Sequence, residues 1–244
     1  MNSWFRPWMF RRVFPSSAEC PGCAAALPML HEASARLGRP VLIGIGGPGG
    51  SGKSTFSLEL FRHLGDARLL PLDDYRRPRH ERPPGVYGSH PAGNRLDLLD
   101  SHLRAARAGQ SFERPIFCRE HGAARATEAV PAGRFLLAEG EIAAHRGLRH
   151  HFDLRILVLA DWSQQWRARM GRDRSERSCS LRKAVTLFLI SNLRDYPRHS
   201  HGARHDADLI LRRSPCGRFF PERWGTPASS VFPAADALRG ISAD

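Results

Sequence analysis

Lysine is almost missing from this chain: among 37 lysine and arginine residues, only Lys53 and Lys183 are lysines. Arginine therefore supplies most of the positive charge behind a net +13. It runs evenly along the chain and forms no block of five or more, so the charge reads as compositional bias and gives no call for a nucleic-acid partner. Long apolar runs are missing too. No stretch of 18 apolar residues occurs, so no membrane-spanning helix is expected. The opening "MNSWFRPWMFRRVFP" is basic and aromatic, but the apolar "AAALPML" behind it is short and broken by proline. That argues against a secretory signal and for a cytoplasmic chain. Cysteine is scarce, odd in number and scattered (Cys20, Cys23, Cys118, Cys179, Cys216), which excludes a disulfide framework and fits a reducing compartment. Cys20 and Cys23 have C-x-x-C spacing, yet no strand precedes them and no second pair completes a zinc site, so incidental free thiols are the expectation. An N-K-x-D guanine-reading motif, a helicase-like motif series and internal repeats are also lacking.

What is present is 41 % hydrophobic residues over 244 positions, enough for one substantial core. "PVLIGIG" (40–46) is β-branched, apolar and closed by glycine, which predicts a buried parallel strand. "KSTFSLELFRHLG" (53–65) predicts a helix, and "RLLPLDD" (68–74) a second short strand. A Pro- and Gly-rich loop follows over 75–94, then an amphipathic helix over 95–109. Strands are expected at 134–140, 152–161 and 207–212, and helices at 162–177 and 180–195. This alternation predicts an α/β fold with three αβα layers and a mostly parallel central sheet. The expected boundaries are an N-terminal extension over 1–38 with a short helix near His31–Leu37, a domain over 39–213, and a proline-rich accessory tail over 214–244.

The scarce lysine sits at a telling place. Gly47, Gly52, Lys53 and Ser54 complete G-x-x-x-x-G-K-[ST] between a predicted strand and a predicted helix, the setting of a phosphate-binding loop in a P-loop NTPase fold. The small residues Gly49, Gly50 and Ser51 let successive N–H groups converge on phosphate oxygens, and the helix N-terminus through Thr55 adds partial positive charge. A lysine ammonium is a compact charge that can bridge β- and γ-phosphates, whereas the planar arginine fork fits such a nest poorly. Ser54 offers its hydroxyl to Mg²⁺. The expected ligands are therefore ATP and Mg²⁺.

Further motifs follow in order: "LDDYRRP" after the second strand, "SHP" in the loop, "ERPIF" after the helix, "LLAEGEIA" at a strand end and "RARMGRDRSER" beyond the next one. Together they make residues 39 to 213 resemble the uridine kinase and phosphoribulokinase family of small-metabolite kinases. "LDDYRRP" resembles the family's acidic motif, "AEG" its strand end, "RDRSER" its lid helix and "HDADLIL" the approach to its final strand. The resemblance implies roles that phosphoryl-transfer chemistry also needs. Asp73 would orient the acceptor hydroxyl and take its proton, with Asp74 as the reserve. Glu139 would complete the Mg²⁺ shell with Ser54. Arg169, Arg172 and Arg177 would edge a lid and neutralise developing charge, alongside Lys53.

Departures from the family pattern fall on the acceptor side. Nucleoside kinases of the family carry an aspartate before the His-Pro of the loop, where this chain has Ser89 before His90 and Pro91. The family's P-x-Y-D becomes Pro115-Ile116-Phe117-Cys118, and Arg177 is followed by Ser178 and Cys179 instead of R-G-R. The reading is an ATP-dependent kinase acting on a hydroxyl of a small polar metabolite, with a nucleoside as the first expectation. A sugar-phosphate, glycerate or pantothenate-type acceptor is the alternative, suited to Arg76, Arg77, Arg79 and Arg82 in the loop. A non-catalytic ATP-binding or nucleic-acid-binding protein is a third reading. Homo-oligomerisation is left open.

Overall fold

The computed structural model describes residues 20–175 and 180–224. Six strands form one sheet in the order β2-β5-β1-β6-β7-β8. These are β1 Val41–Gly46, β2 Ala67–Pro71, β5 Phe135–Glu139, β6 Leu154–Leu159, β7 Leu209–Arg213 and β8 Phe219–Trp224. The first five run parallel; β8 alone is antiparallel, paired to β7. β1 is buried along its whole length because both of its faces are covered. Val41, Ile43 and Ile45 pack under helices α1 (Pro21–Leu37) and α2 (Lys53–His63), while Leu42 joins α3 (Leu96–Arg107) through Leu99 and Leu103 on the other side. Alternate side chains of a strand point to opposite faces, so one strand serves two cores. The expected three-layer α/β fold is present.

Three expectations give way to the structure. The short helix near His31–Leu37 is a 17-residue helix, and its inner face (Cys23, Ala26, Met29, Leu30, Ala33) lies in the main core. That stretch, placed in the extension, is therefore part of the packed body. The tail from Ser214 supplies β8, whose Phe219 is fully buried against Phe56 of α2 with ring centroids 5.4 Å apart. An antiparallel hairpin, β3 (Phe112–Cys118) with β4 (Ala123–Val130), stands beside the main sheet where no strand was expected.

The parallel register gathers the strand ends that matter. Ile45 aligns with Glu139 and Glu139 with Pro71, so the C-terminal ends of β1, β5 and β2 lie level. β1 pairs with β5 on one side and β6 on the other, which opens the crevice at a topological switch point.

Candidate active site

The loop between β1 and α2 occupies that crevice. Gly47, Gly50 and Gly52 have φ of 144°, 85° and 99°, conformations that side-chain-bearing residues rarely adopt. A Cβ at Gly50 would also come within 2.5 Å of the Gln165 carbonyl oxygen on α4 (Trp162–Ser175), so the loop packs hard against that helix. Lys53 opens α2 and is buried, with Nζ donating to the Pro48 carbonyl at 3.0 Å. Burial lowers its pKa, and the carboxylates of Glu141, Glu139 and Asp73 work in the other direction. Ser54 Oγ donates to Glu139 Oε1 at 2.9 Å. Burial pushes the Glu139 carboxyl up, opposed first by Lys53. A hydroxyl and a carboxylate this close are a hard-oxygen donor pair, and a divalent cation between them would offset the cost of the buried charge. Such a pair fits Mg²⁺, which takes few protein ligands and keeps several waters.

The two aspartates after β2 diverge. A single-turn 3₁₀ helix over Leu72–Tyr75 sends neighbouring side chains to different sides. Asp73 borders the same cleft as Lys53 and Glu139, a space of about 240 Å³. It accepts from Arg76 Nη2 at 2.7 Å and Arg119 Nη2 at 3.3 Å. Asp74 is 2 % exposed and faces away, paired to Arg114 of β3, which also holds Glu128 of β4. The Phe117 N–H donates to Asp74 Oδ1 at 3.2 Å. Asp74 thus ties the hairpin to the sheet's edge, and Asp73 is the one that faces the cleft.

Of the three arginines expected to edge a lid, the structure brings two to the cleft; Arg177 lies outside the described residues. Arg169 is buried, and its Nη1 donates to Glu141 Oε1 at 3.1 Å and Asn192 Oδ1 at 3.3 Å. Arg172 lines the cleft beside it. Glu141, Ser191, Asn192 and Arg213 were not legible as site residues. Burial disfavours the Glu141 carboxylate, but Arg169 and Lys53 outweigh it and hold its pKa below the ordinary value. Ser191 Oγ donates to Glu141 Oε2 at 2.9 Å, and Asn192 Nδ2 to the Gly49 carbonyl at 2.8 Å. Both come from a π-helical stretch over Leu189–Asp195 that follows α5 (Leu181–Phe188), a wide-turn geometry common at functional sites. The one available signal was Glu141 itself, two residues beyond Glu139 in "AEGEIA".

On the acceptor side the loop motif "SHP" is absorbed into packing. Ser89 is wholly buried, with Oγ 3.1 Å from Ser191 Oγ. Its carbonyl accepts from His145 Nε2 at 3.0 Å. Burial lowers the His145 pKa to about 4, so this ring is neutral near pH 7. Cations crowd Asp73 instead: besides Arg76 and Arg119, Arg82 lies close enough to feel its charge, and burial with Arg76 and Arg79 nearby lowers the Arg82 pKa to about 10. Arg82 also sits over the Phe117 ring, 5.4 Å from its centroid. No helix among the described residues is long and apolar enough to cross a membrane.

The chain is similar to known proteins over most of its length. Residues 42–219 match the phosphoribulokinase / uridine kinase family profile. The uridine kinase of Clostridium tetani is 31 % identical over 182 residues, covering 71 % of this chain and 87 % of that protein. The phosphoribulokinase of Synechocystis is 31 % identical over 131 residues, 52 % of this chain and 37 % of the relative. Among solved structures, a D-glycerate 3-kinase from Cryptococcus neoformans superposes with a TM-score of 0.60 at 14 % identity, covering 78 % of this chain and 93 % of that one. That last likeness speaks to the fold.

Proposed function

This chain belongs to the phosphoribulokinase and uridine kinase family, and on that premise we propose that it is an ATP- and Mg²⁺-dependent kinase whose acceptor is a small polyol bearing an anionic group. Loop N–H groups and the start of α2 hold the triphosphate, with Lys53 on its terminal phosphates. Ser54 and Glu139 would hold Mg²⁺, which would supply positive charge to the phosphate oxygens. Asp73 orients the acceptor hydroxyl and takes its proton as the new O–P bond forms and the bond from the γ-phosphorus to the bridging oxygen breaks, with ADP as the leaving group. Arg169 and Arg172, with Arg177, neutralise charge as the phosphoryl group moves.

One observation carries the choice of acceptor: Asp73, which lines the cleft with Arg76, stands between Arg76 and Arg119, with Arg82 nearby. A phosphate or carboxylate on the substrate would meet these guanidinium groups and leave Asp73 to the hydroxyl. The nucleoside reading is supported by the identity to a named uridine kinase. Against it, the position of the ribose-holding acid is Ser89, whose hydroxyl is buried on Ser191.

The test is ADP release across a panel of a nucleoside, a sugar phosphate and a hydroxy acid, with Lys53→Ala as the control. The anionic acceptors are expected to show the higher kcat/KM, and Lys53→Ala to abolish turnover in a folded protein. Preference for the nucleoside would restore the second reading. Turnover that survives Lys53→Ala would end the kinase assignment.

A further inference from the structure

The C-x-x-C at the start of α1 has a third partner that the sequence does not reveal. Cys20 precedes the helix and Cys23 lies in its first turn. Glu59, on α2, meets them from the side: the Cys20 thiol donates to Glu59 Oε2 at 3.2 Å, and one donor atom from each of the three lies within 4.8 Å of the others. All three are buried, at 2 %, 0 % and 7 % exposure. The surrounding layer is apolar, containing Ala26, Leu30, Leu60 and Phe219. Neither phosphate binding nor acceptor binding uses this cluster.

We propose that Cys20, Cys23 and Glu59 form a zinc-class metal site that clamps α1 to α2. In a tetrahedral site with Zn–S near 2.3 Å and Zn–O near 2.0 Å, ligand atoms stand roughly 3.5 to 3.8 Å apart, a spacing these side chains reach by small rotations. The thiol pair selects a borderline-soft cation and discriminates against Mg²⁺, so the site is chemically separate from the oxygen pair of Ser54 and Glu139. On binding, two S–H bonds are replaced by two metal–sulfur bonds and two protons leave to solvent. No electron is transferred. The fourth position takes a water or a further donor. Because both thiols must lose their protons to bind, metal affinity should fall as pH drops. The clamp fastens the helix that begins at Lys53 to the one packed beside it.

The experiment measures zinc in the full chain after gel filtration in excess Mg²⁺, beside Cys20→Ser/Cys23→Ser, with ATP titration to show that each is folded. About one zinc per wild-type chain is expected, and at least tenfold less in the double variant with ATP binding kept. Should the double variant fail to fold, Co²⁺ is added to stripped wild-type protein, where thiolate-to-cobalt charge-transfer absorption should saturate at one equivalent. Three outcomes overturn the proposal. They are wild-type protein with neither zinc nor that absorption, equal zinc in the double variant, or an isolated chain lighter by two hydrogens with Cys20 and Cys23 joined in a disulfide.

Discussion

Asp73 and Asp74 are adjacent, chemically identical and placed to fail in different ways. In Asp73→Asn the side chain keeps its size but loses its charge and its capacity to take a proton. The ion pairs lost are with Arg76 and Arg119, at a carboxylate with 36 % of its side chain exposed. Pairs of that kind contribute about 0.2 to 1 kcal/mol each, so the melting temperature should move by only a few degrees. Turnover should fall by about 10² to 10⁴, the usual share of a positioned proton acceptor, with ATP affinity little changed because the phosphate loop is untouched. Asp74→Asn reverses the pattern. Its partner Arg114 is 5 % exposed at the side chain and would lose its ion pair with Asp74 while keeping the one with Glu128. Breaking one arm of a buried pair costs about 3 to 5 kcal/mol. For a domain of this size that is a drop of roughly 6 to 20 °C in melting temperature. Differential scanning calorimetry and ADP release on the same preparations read both quantities. The reasoning is refuted if Asp73→Asn keeps near-normal turnover, or if Asp74→Asn leaves the melting temperature unchanged.

Two further outcomes follow from the packing. Leu30→Ala, in the helix assigned by sequence to an extension, should cost about 2 to 5 kcal/mol because Leu30 is fully buried in the main core; chemical denaturation checks it, and a loss under 1 kcal/mol would detach α1 from the fold. His145, whose pKa burial lowers to about 4 against an ordinary 6.5, resists protonation in the folded state. Its neutral form is therefore a stabilising requirement that is fully met above pH 6.5 and lost as pH falls toward 4, at a cost of about 3 kcal/mol. Stability measured from pH 7 to 4 should fall less steeply in His145→Gln than in the wild type, and an unchanged slope would contradict this.

Why the donor half of the site was legible and the acceptor half was not follows from how each is assembled. The phosphate loop is one contiguous stretch whose glycines, lysine and serine are dictated by backbone geometry, so Gly47 to Thr55 can be read directly. Asp73 and Glu139 were also legible, because each stands at or just past the end of a predicted strand where a parallel sheet delivers side chains to the crevice. Glu141 and Arg213 reach the same cleft from a 3₁₀ turn and the end of β7, and Asn192 braces it from a π-helical stretch through the Gly49 carbonyl and Arg169. No local periodicity encodes those routes. β3 and β4 were hidden for a related reason. Pro115 sits inside β3, and β4 is mostly exposed, so neither shows the alternation that reveals a half-buried strand. β8 contains Pro221, which an edge strand tolerates and a sequence reader takes for a breaker. α1 is rich in alanine and interrupted by Pro28, which masks a helix whose small residues are what allow close packing on the sheet. Local rules thus find groups that bind what every such enzyme binds. The groups proposed to choose the acceptor come together only in three dimensions, from segments whose sequences do not show which residues will meet. Arg76 and Arg82 already stood out with Arg77 and Arg79 as a cationic loop, but Arg119 did not, and only the structure shows which of these arginines converge on Asp73.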